Sequence, residues 1–468
     1  MKKKLLIAVM LIICLLSLFA CSESFSYQAL PGGPNINDEI VGGNSGICVQ
    51  KGDYIYMING MADTTADNNF GDAVRGAIYR LELNPATGEI IETLLMAPKA
   101  FYSKEQGAGL YIPDNGNKLY YISPSTEKDK NGDRLYWYYD IFSVNLNGTE
   151  TRKMGTIDYY NTGKFLQIGS EVCFVYEPTI IDKTDNKILA MKENGQIVEC
   201  LKGYEKAIIG EDGNIYYTKE QEKDADKEIS GIEDYNKVYK KAVLGEDEEI
   251  KLGAENLSED KYLVQLQKFE DGVLYYTKNK KAGASPLELL FAYRNGEEIQ
   301  LTSSEQSDPY FLGFDNNGFY LGTLFIKDNH LVLIKASEKN EDPSENGKIY
   351  YIAGGVSGQP TYLFKDDTKN ELYFILNNKL HKVKIPDELN DSNSKIEQLL
   401  DTDMNIEKLY PKMLGNYIYF IGSGDKEYYK DYLHRMDIRE PKDQEPVRLG
   451  ELSKADQELK DEDEDEAD

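Results

Sequence analysis

A short apolar segment with paired aromatic residues recurs eight times along the chain, and this repeat constrains the fold more than any other feature. Neighbouring copies are separated by 42 to 64 residues. Each copy is apolar on both faces, as expected for a β-strand enclosed between two neighbouring sheets. Tyrosine is the main aromatic residue, with 35 Tyr against 16 Phe. The central residues of the eight copies are Tyr56, Tyr120, Phe174, Tyr216, Tyr275, Tyr320, Tyr373 and Tyr419.

Tight turns and a second type of strand complete each unit. Asn-Gly and Asp-Gly pairs, which supply the positive φ that tight hairpins need, lie just before the recurring segment or just after the next strand. That next strand alternates polar and apolar residues, for example at 78–83 and 433–438. Each unit therefore predicts a four-stranded antiparallel blade, and such a repeat is typical of a β-propeller. We predict an all-β propeller of eight blades over residues 41–451, with seven as the alternative because the unit around Phe319 is the least regular.

The aromatic segments also resemble a known repeat. Tyr-Tyr-Thr-Lys at 216–219 and at 275–278 is similar to the YWTD repeat of the propellers in low-density lipoprotein receptors, and of bacterial lipoproteins with no assigned function. Both copies depart from that repeat at the second aromatic position and at the final acidic position. The resemblance implies a propeller that binds a ligand, without naming the ligand.

The N-terminus predicts export and lipid attachment. Residues 1–4 are basic, residues 5–20 are almost entirely apolar, and a cysteine follows at position 21. This layout is that of a signal peptide, and Leu18-Phe19-Ala20-Cys21 resembles the lipobox of bacterial lipoproteins. The resemblance implies cleavage before Cys21 and a lipid anchor on its sulfur, on the extracytoplasmic side of a bacterial membrane. We predict a signal peptide at 1–20 and a lipidated Cys21 with a flexible tether over 21–40.

Acidic residues dominate the charge of the chain. The formal net charge is −28, and removal of the three lysines of the signal peptide makes it −28 − 3 = −31. Such a surface argues against nucleic acid as a partner, because neutralising phosphates requires a basic surface. Seven of the last eight residues are acidic. We therefore predict a disordered acidic tail over 452–468.

Few residues are candidates for catalysis, metal binding or disulfide formation. The chain has three histidines, of which His381 and His434 occupy an aromatic slot of the alternating strand and are predicted to be core residues. After export and lipidation, three cysteines remain, and an odd number does not indicate a disulfide framework. No His/Cys cluster, phosphate-binding glycine loop or nucleophile elbow is present. The sequence therefore predicts no cofactor, no metal site and no catalytic residue.

The longer connections gather at one end of the predicted blades. They join the second strand to the third, and insertions on one face of a repeat protein often form its binding face. The connections at 59–76 and 123–140 carry the large side chains best suited to anchor a partner, Met61, Phe70, Tyr136 and Trp137.

These features predict a membrane-anchored lipoprotein whose propeller is a non-catalytic binding module for a protein or another envelope component, and not an enzyme. The acidic charge favours neutral or basic partners. Two alternatives remain: an enzyme, either a hydrolase or a lyase, with a site in the propeller channel, and a structural scaffold of an envelope complex.

Overall fold

The computed structural model consists of β-strands and one helix in the part of the chain that it describes. The described residues are 29–41, 44–61, 75–97, 99–102, 107–125, 127–128, 130–132, 138–158, 160–179, 186–219, 238–250, 262–270, 272–280, 287–294, 296–300, 311–314, 319–327, 329–337, 348–358, 360–366, 369–385, 394–399, 405–406, 411–423, 431–439 and 446–467.

The strands of these residues form eight antiparallel sheets in chain order, which we number 1 to 8. Sheets 1 to 4 contain β1 (Ile40–Val41), β2 (Cys48–Lys51), β3 (Tyr54–Ile58), β4 (Ile78–Leu83) and β5 (Ile90–Ala97); β6 (Lys118–Pro124), β7 (Tyr139–Asn145) and β8 (Arg152–Ile157); β9 (Tyr160–Ile168), β10 (Glu171–Pro178), β11 (Lys187–Lys192) and β12 (Ile197–Lys202); and β13 (Tyr204–Ile209), β14 (Asn214–Lys219), β15 (Val238–Ala242) and β16 (Asp247–Ile250). Sheets 5 to 8 contain β17 (Tyr262–Glu270), β18 (Val273–Lys280), β19 (Leu287–Arg294) and β20 (Glu297–Gln300); β21 (Phe311–Phe314), β22 (Phe319–Lys327), β23 (His330–Ser337) and β24 (Lys348–Gly354); β25 (Thr361–Asp366), β26 (Glu371–Leu376), β27 (Lys379–Lys384) and β28 (Glu397–Gln398); and β29 (Asn405–Ile406), β30 (Lys412–Leu414), β31 (Tyr417–Ser423), β32 (Tyr432–Asp437) and β33 (Val447–Arg448). The predicted all-β fold of antiparallel sheets is confirmed.

In sheets 2 and 4, the paired aromatic residues contact the neighbouring sheets on both sides. Successive side chains of a strand point to opposite faces. Tyr121 therefore packs into the cluster shared with sheet 1, whereas Tyr120 packs into the cluster shared with sheet 3. Tyr217 and Tyr216 divide in the same way between sheets 3 and 5. Burying one large apolar side chain stabilises a fold by roughly 2–3 kcal/mol, so this repeated pair is a main source of cohesion between sheets.

The phenol groups explain why tyrosine outnumbers phenylalanine. A buried hydroxyl needs a hydrogen-bond partner, and several of these tyrosines donate to a carboxylate. The donor–acceptor distances are 2.5 Å for Tyr120 to Glu193, 2.7 Å for Tyr216 to Asp212, 2.5 Å for Tyr276 to Glu298 and 2.9 Å for Tyr373 to Glu371.

The connections alternate between the two ends of the sheets. Short hairpins join the first strand to the second, as at Gly52 and Asp53 between β2 and β3. Connections from the second strand to the third leave from the other end; they are long between β3 and β4, β6 and β7, and β14 and β15, and only two residues long between β22 and β23 and between β26 and β27. We call these two ends the turn end and the loop end.

Sheets 1 and 8, the first and last in the chain, are in direct contact. Leu414, Tyr419 and Leu433 of sheet 8 belong to the same buried cluster as Ile47 and Tyr56 of sheet 1. Polar contacts cross the same boundary: the Met61 amide donates to the Asp431 carbonyl at 2.7 Å, Asn59 Nδ2 to the Glu451 carbonyl at 2.8 Å, and Arg435 to the Gly88 carbonyl at 3.0 Å.

Residues 29–41, which we call the N-terminal strap, lie against sheets 1 and 2, so the prediction of a flexible tether is wrong over this stretch. Ile40 and Val41 pair with β2, and the Leu30 amide donates to the Asn147 carbonyl at 2.9 Å. Arg80 is 1% exposed and donates to the carbonyls of Pro31 and Gly32 in the strap. A buried guanidinium requires acceptors, and the strap supplies them.

The acidic C-terminal segment is helical, so the prediction of a disordered tail is wrong over helix α1 (Lys454–Ala467). Ser453 caps the helix by accepting a hydrogen bond from the Asp456 amide at 3.2 Å. Asp456 fixes the helix to the sheets, because its carboxylate accepts from Arg75 at 2.7 Å and from the Tyr432 hydroxyl at 2.5 Å. Within the described residues, no helix has an apolar stretch long enough to span a membrane.

Candidate active site at the loop end

The segments that precede β2 in sheet 1 and β6 in sheet 2 meet each other and the first strand of sheet 3 backbone to backbone at the loop end. Gly46 pairs with Gly109, and Gly107 pairs with Gly163. The Leu110 amide donates to the Gly46 carbonyl at 3.0 Å. A Cβ atom on Gly109, whose φ is +98°, would lie only 2.5 Å from the Gly46 nitrogen. Only glycine permits this approach, and it holds the segment before β2 in a defined position.

Ser45 lies in this segment with a φ of +73°, a conformation that is costly for any residue with a side chain. Its amide donates to the Leu110 carbonyl at 3.0 Å, and its hydroxyl donates to the Ala108 carbonyl. The neighbouring Asn44 is also fixed by two hydrogen bonds: its Oδ1 accepts from the Ile112 amide at 2.9 Å, and its Nδ2 donates to the Ile112 carbonyl at 2.7 Å. The Ser45 residue as a whole is exposed. Because strained backbone conformations cluster at functional sites, this solvent-facing serine is a candidate functional residue.

Lys412, in β30 of sheet 8, places its side-chain amine next to the backbone of Ser45. Its Nζ donates to the carbonyl of Ser45 at 2.5 Å and to the carbonyl of Cys48 at 2.7 Å. Burial lowers the pKa of Lys412 from its usual value. Burial also raises the pKa of the Cys48 thiol to about 12, so that thiol stays neutral and does not restore the charge on the amine. A lysine with a lowered pKa can accept a proton near neutral pH.

A small pocket between sheets 1 and 2, with room for about one water molecule, begins two residues after Ser45, at Ile47. The lining residues are Ile47, Ile58, Gly60, Met61, Ala100, Phe101 and Tyr102.

The structure describes one of the five site residues predicted from the sequence. Met61 is partly buried against the core and lines the pocket. Cys21, Phe70, Tyr136 and Trp137 lie outside the described residues. The described residues contain no group of three or more His, Cys, Asp or Glu side chains suited to a metal ion.

Sequence reasoning missed Ser45 and Lys412. They are separated by 367 positions, and Lys412 is one of 53 basic residues. The one local signal is the pair Ser45-Gly46 ahead of an apolar first strand, and that pair also occurs in ordinary turns.

His434 is a core residue, as predicted. It is 0% exposed, its ring lies 5.9 Å from that of Phe420, and its Nδ1 lies 3.0 Å from the Tyr432 carbonyl. Burial lowers its pKa to about 4, with a smaller contribution from the charge of Arg448 on the paired strand. The folded protein therefore resists protonation of this imidazole.

We expect His434 to make the protein acid-sensitive. The pKa of His434 is about 4 in the folded protein and 6.5 in the unfolded chain, so this residue does not affect the free energy of unfolding above pH 6.5. As the pH falls below 4, it lowers that free energy by about 3 kcal/mol. His434→Phe should remove this part of the pH dependence, measured by urea unfolding between pH 7 and pH 4. His381→Phe is the control: His381 is half-buried and its pKa is also lowered by burial, so its effect should be smaller. If the free energy of unfolding fell equally steeply with decreasing pH in the wild type and in His434→Phe, the prediction would be contradicted.

Comparisons with known proteins identify the fold. No protein-family profile matches the chain, and no curated protein matches it in sequence, so the resemblance to the YWTD repeat stays a prediction. Among solved structures, the propeller domain of the Trilobed protease from Pyrococcus furiosus is 11% identical, with a TM-score of 0.40, over 75% of this chain and 97% of that one. Dipeptidyl peptidase 4 of Porphyromonas gingivalis is 10% identical, with a TM-score of 0.46, over 93% of this chain and 63% of that one. An oligogalacturonate lyase in complex with manganese is 11% identical, with a TM-score of 0.38, over 80% of this chain and 95% of that one. These neighbours show a β-propeller fold.

The same neighbours correct the predicted function. Most are peptidases and lyases, so the prediction of a non-catalytic binding module that is not an enzyme is wrong. Identity this low shows the fold alone, and a particular reaction has to be argued from the residues of this chain.

Proposed function

We propose that the protein is a lipid-anchored extracytoplasmic hydrolase with Ser45 as nucleophile and Lys412 as general base. The observation that carries this proposal is the position of the Lys412 amine, 2.5 Å from the carbonyl of Ser45, in surroundings that lower its pKa. Serine–lysine pairs are one of the known arrangements for activating a serine hydroxyl.

The proposed reaction is acyl transfer. Neutral Lys412 accepts the Ser45 hydroxyl proton as the oxygen attacks a substrate carbonyl, and it returns that proton to the leaving group. Water then hydrolyses the acyl-serine bond and releases the acid. In the present structure the hydroxyl donates to the Ala108 carbonyl. The proposed step requires the hydroxyl to leave this carbonyl and turn toward the amine by rotation about the Cα–Cβ bond, a movement between rotamers.

The surrounding surface supports a neutral or basic acyl substrate. The chain carries a net charge of −28, which repels polyanions such as uronate polymers. This charge favours a hydrolase over a lyase that acts on acidic polysaccharides.

The proposed scaffold is a closed propeller of eight blades, one for each of sheets 1 to 8. The contacts between sheets 1 and 8 support closure. Closure matters for the site, because Ser45 belongs to sheet 1 and Lys412 to sheet 8. The anchor is proposed from the basic N-terminus, the apolar stretch and Cys21.

A fluorophosphonate probe tests the proposed nucleophile. We expect the probe to label Ser45, identified by mass spectrometry of the modified peptide, and we expect Ser45→Ala to abolish labelling. Lys412→Met should slow labelling by about 10²- to 10⁴-fold, because it removes the base. In the wild type, the labelling rate should rise with pH through the lowered pKa of Lys412, since only the neutral amine accepts a proton.

Ser170→Ala is the matched control, because Ser170 is an exposed serine in the hairpin between β9 and β10 at the turn end. It should label like the wild type. Thermal unfolding of each variant excludes loss of the fold as the cause of lost labelling. Undiminished labelling of folded Ser45→Ala, or no labelling of the wild type, would overturn the proposal.

A further inference from the structure

The N-terminal strap emerges at the turn end of the sheets. The Leu30 amide donates to the carbonyl of Asn147, in the hairpin between β7 and β8. The Leu30 side chain lies beside Gly148 in the same hairpin. Arg80 then holds Pro31 and Gly32 against sheet 1. The position from which the chain continues toward Cys21 is therefore fixed at one end of the molecule.

The distance from that position to the anchor is limited by covalent geometry. Nine residues lead from Leu30 back to Cys21, and in any conformation they span at most about 32 Å. The longest strands have nine residues, so the sheets are about 30 Å tall. A chain that placed the loop end on the bilayer would have to cover this whole height and also pass around the rim. Placing the turn end there requires no such extension.

We infer that the anchored protein faces the bilayer with its turn end and presents the loop end, with Ser45 and Lys412, away from the membrane. This inference rests on the proposed anchor and deepens the proposed function. It restricts the substrate to molecules that arrive from the extracytoplasmic space, such as soluble or wall-associated acyl compounds, and excludes lipids within the bilayer.

Energy transfer to a labelled vesicle measures this orientation. The mature chain is coupled through the Cys21 thiol to a maleimide lipid in phosphatidylcholine vesicles that contain a dansyl headgroup lipid. The other cysteines of the mature chain, Cys48, Cys173 and Cys200, are buried and should not react. The single natural tryptophan is replaced by Trp137→Phe, and one new tryptophan serves as donor.

The two donor positions form a matched pair. Ser170→Trp places the donor at the turn end, and Ser357→Trp places it in the connection between β24 and β25 at the loop end; both serines are exposed. We expect clear transfer from position 170 and at least several-fold weaker transfer from position 357. Equal transfer, or stronger transfer from position 357, would overturn the inference.

Two controls separate this result from the other proposals. Uncoupled protein should show no transfer from either donor, which identifies the anchor as the cause. Because maleimide chemistry supplies the anchor, the result does not depend on lipidation in the cell. Lipidation is tested separately by labelling the wild type and Cys21→Ser with radioactive palmitate in a bacterial host. The hydrolase proposal is tested by the fluorophosphonate probe alone.

Discussion

Gly60→Ala should lower the free energy of unfolding by at least about 3 kcal/mol, because two unfavourable effects combine at this position. The φ of Gly60 is +79°, which disfavours any residue with a Cβ atom. That atom would also lie 2.1 Å from the Asp431 carbonyl oxygen and 2.7 Å from the Tyr432 Cα of sheet 8. Both obstacles belong to the backbone, so the two sheets must move apart to accommodate a methyl group. Urea unfolding measures the loss.

Gly213→Ala separates the two effects. Gly213 has the same φ of +79°, but a Cβ atom there meets nothing within 4 Å. Gly213→Ala should therefore lower the free energy of unfolding by only about 1–2 kcal/mol, which is the penalty for the backbone conformation. If both substitutions cost the same, the contact between sheets 1 and 8 would contribute nothing measurable to stability. A larger loss for Gly60→Ala would show that this contact supports the fold.

The contact at Gly60 also matters for the proposed site. The Ser45–Lys412 pair spans the boundary between sheets 1 and 8. The loss of stability in Gly60→Ala should therefore be accompanied by slower fluorophosphonate labelling of the remaining folded protein. Gly213→Ala, in a turn-end hairpin, should leave the labelling rate unchanged.

The fold could be predicted from the sequence because its determinants are local and repeated. Paired aromatics such as Tyr120 and Tyr121 mark a strand that is buried on both faces, and Asn-Gly or Asp-Gly pairs mark the hairpins. The strand predicted at 78–83 has the observed limits Ile78–Leu83. Each repeat supports the interpretation of the others, so one irregular unit does not alter the conclusion.

The features that were missed depend on contacts between distant residues. The N-terminal strap is rich in Pro and Gly and looks like a tether, but it is held by Arg80, a buried cation some fifty residues away in sequence. Helix α1 is so acidic that disorder is the expected outcome. Its attachment depends on Asp456, which meets Arg75 from the distant connection between β3 and β4. The Ser45–Lys412 pair likewise exists only after sheets 1 and 8 have come together.

Glu298→Gln should lower the free energy of unfolding by about 3–5 kcal/mol, because it leaves a lysine buried in sheet 5 without its counter-charge. The side chains of Lys278 and Glu298 are 5% and 9% exposed and form an ion pair. Tyr276 donates to the same carboxylate at 2.5 Å, and the Lys278 amine lies 4.3 Å from the centre of the Phe291 ring. Glutamine preserves the shape and an acceptor for Tyr276, so the measured loss reports mainly the missing charge.

The double variant Lys278→Met/Glu298→Leu distinguishes the buried charge from the packing. It removes both charges and keeps similar volumes, so we expect it to recover most of the stability lost in Glu298→Gln. Glu199→Gln is the exposed control, because Glu199 pairs with Lys187 at 3.6 Å while both side chains remain at least 36% exposed. It should change the free energy of unfolding by less than about 1 kcal/mol. If the double variant were as unstable as Glu298→Gln, the cost would come from lost packing and hydrogen bonds around Tyr276, and the ion pair itself would not explain the stability of sheet 5.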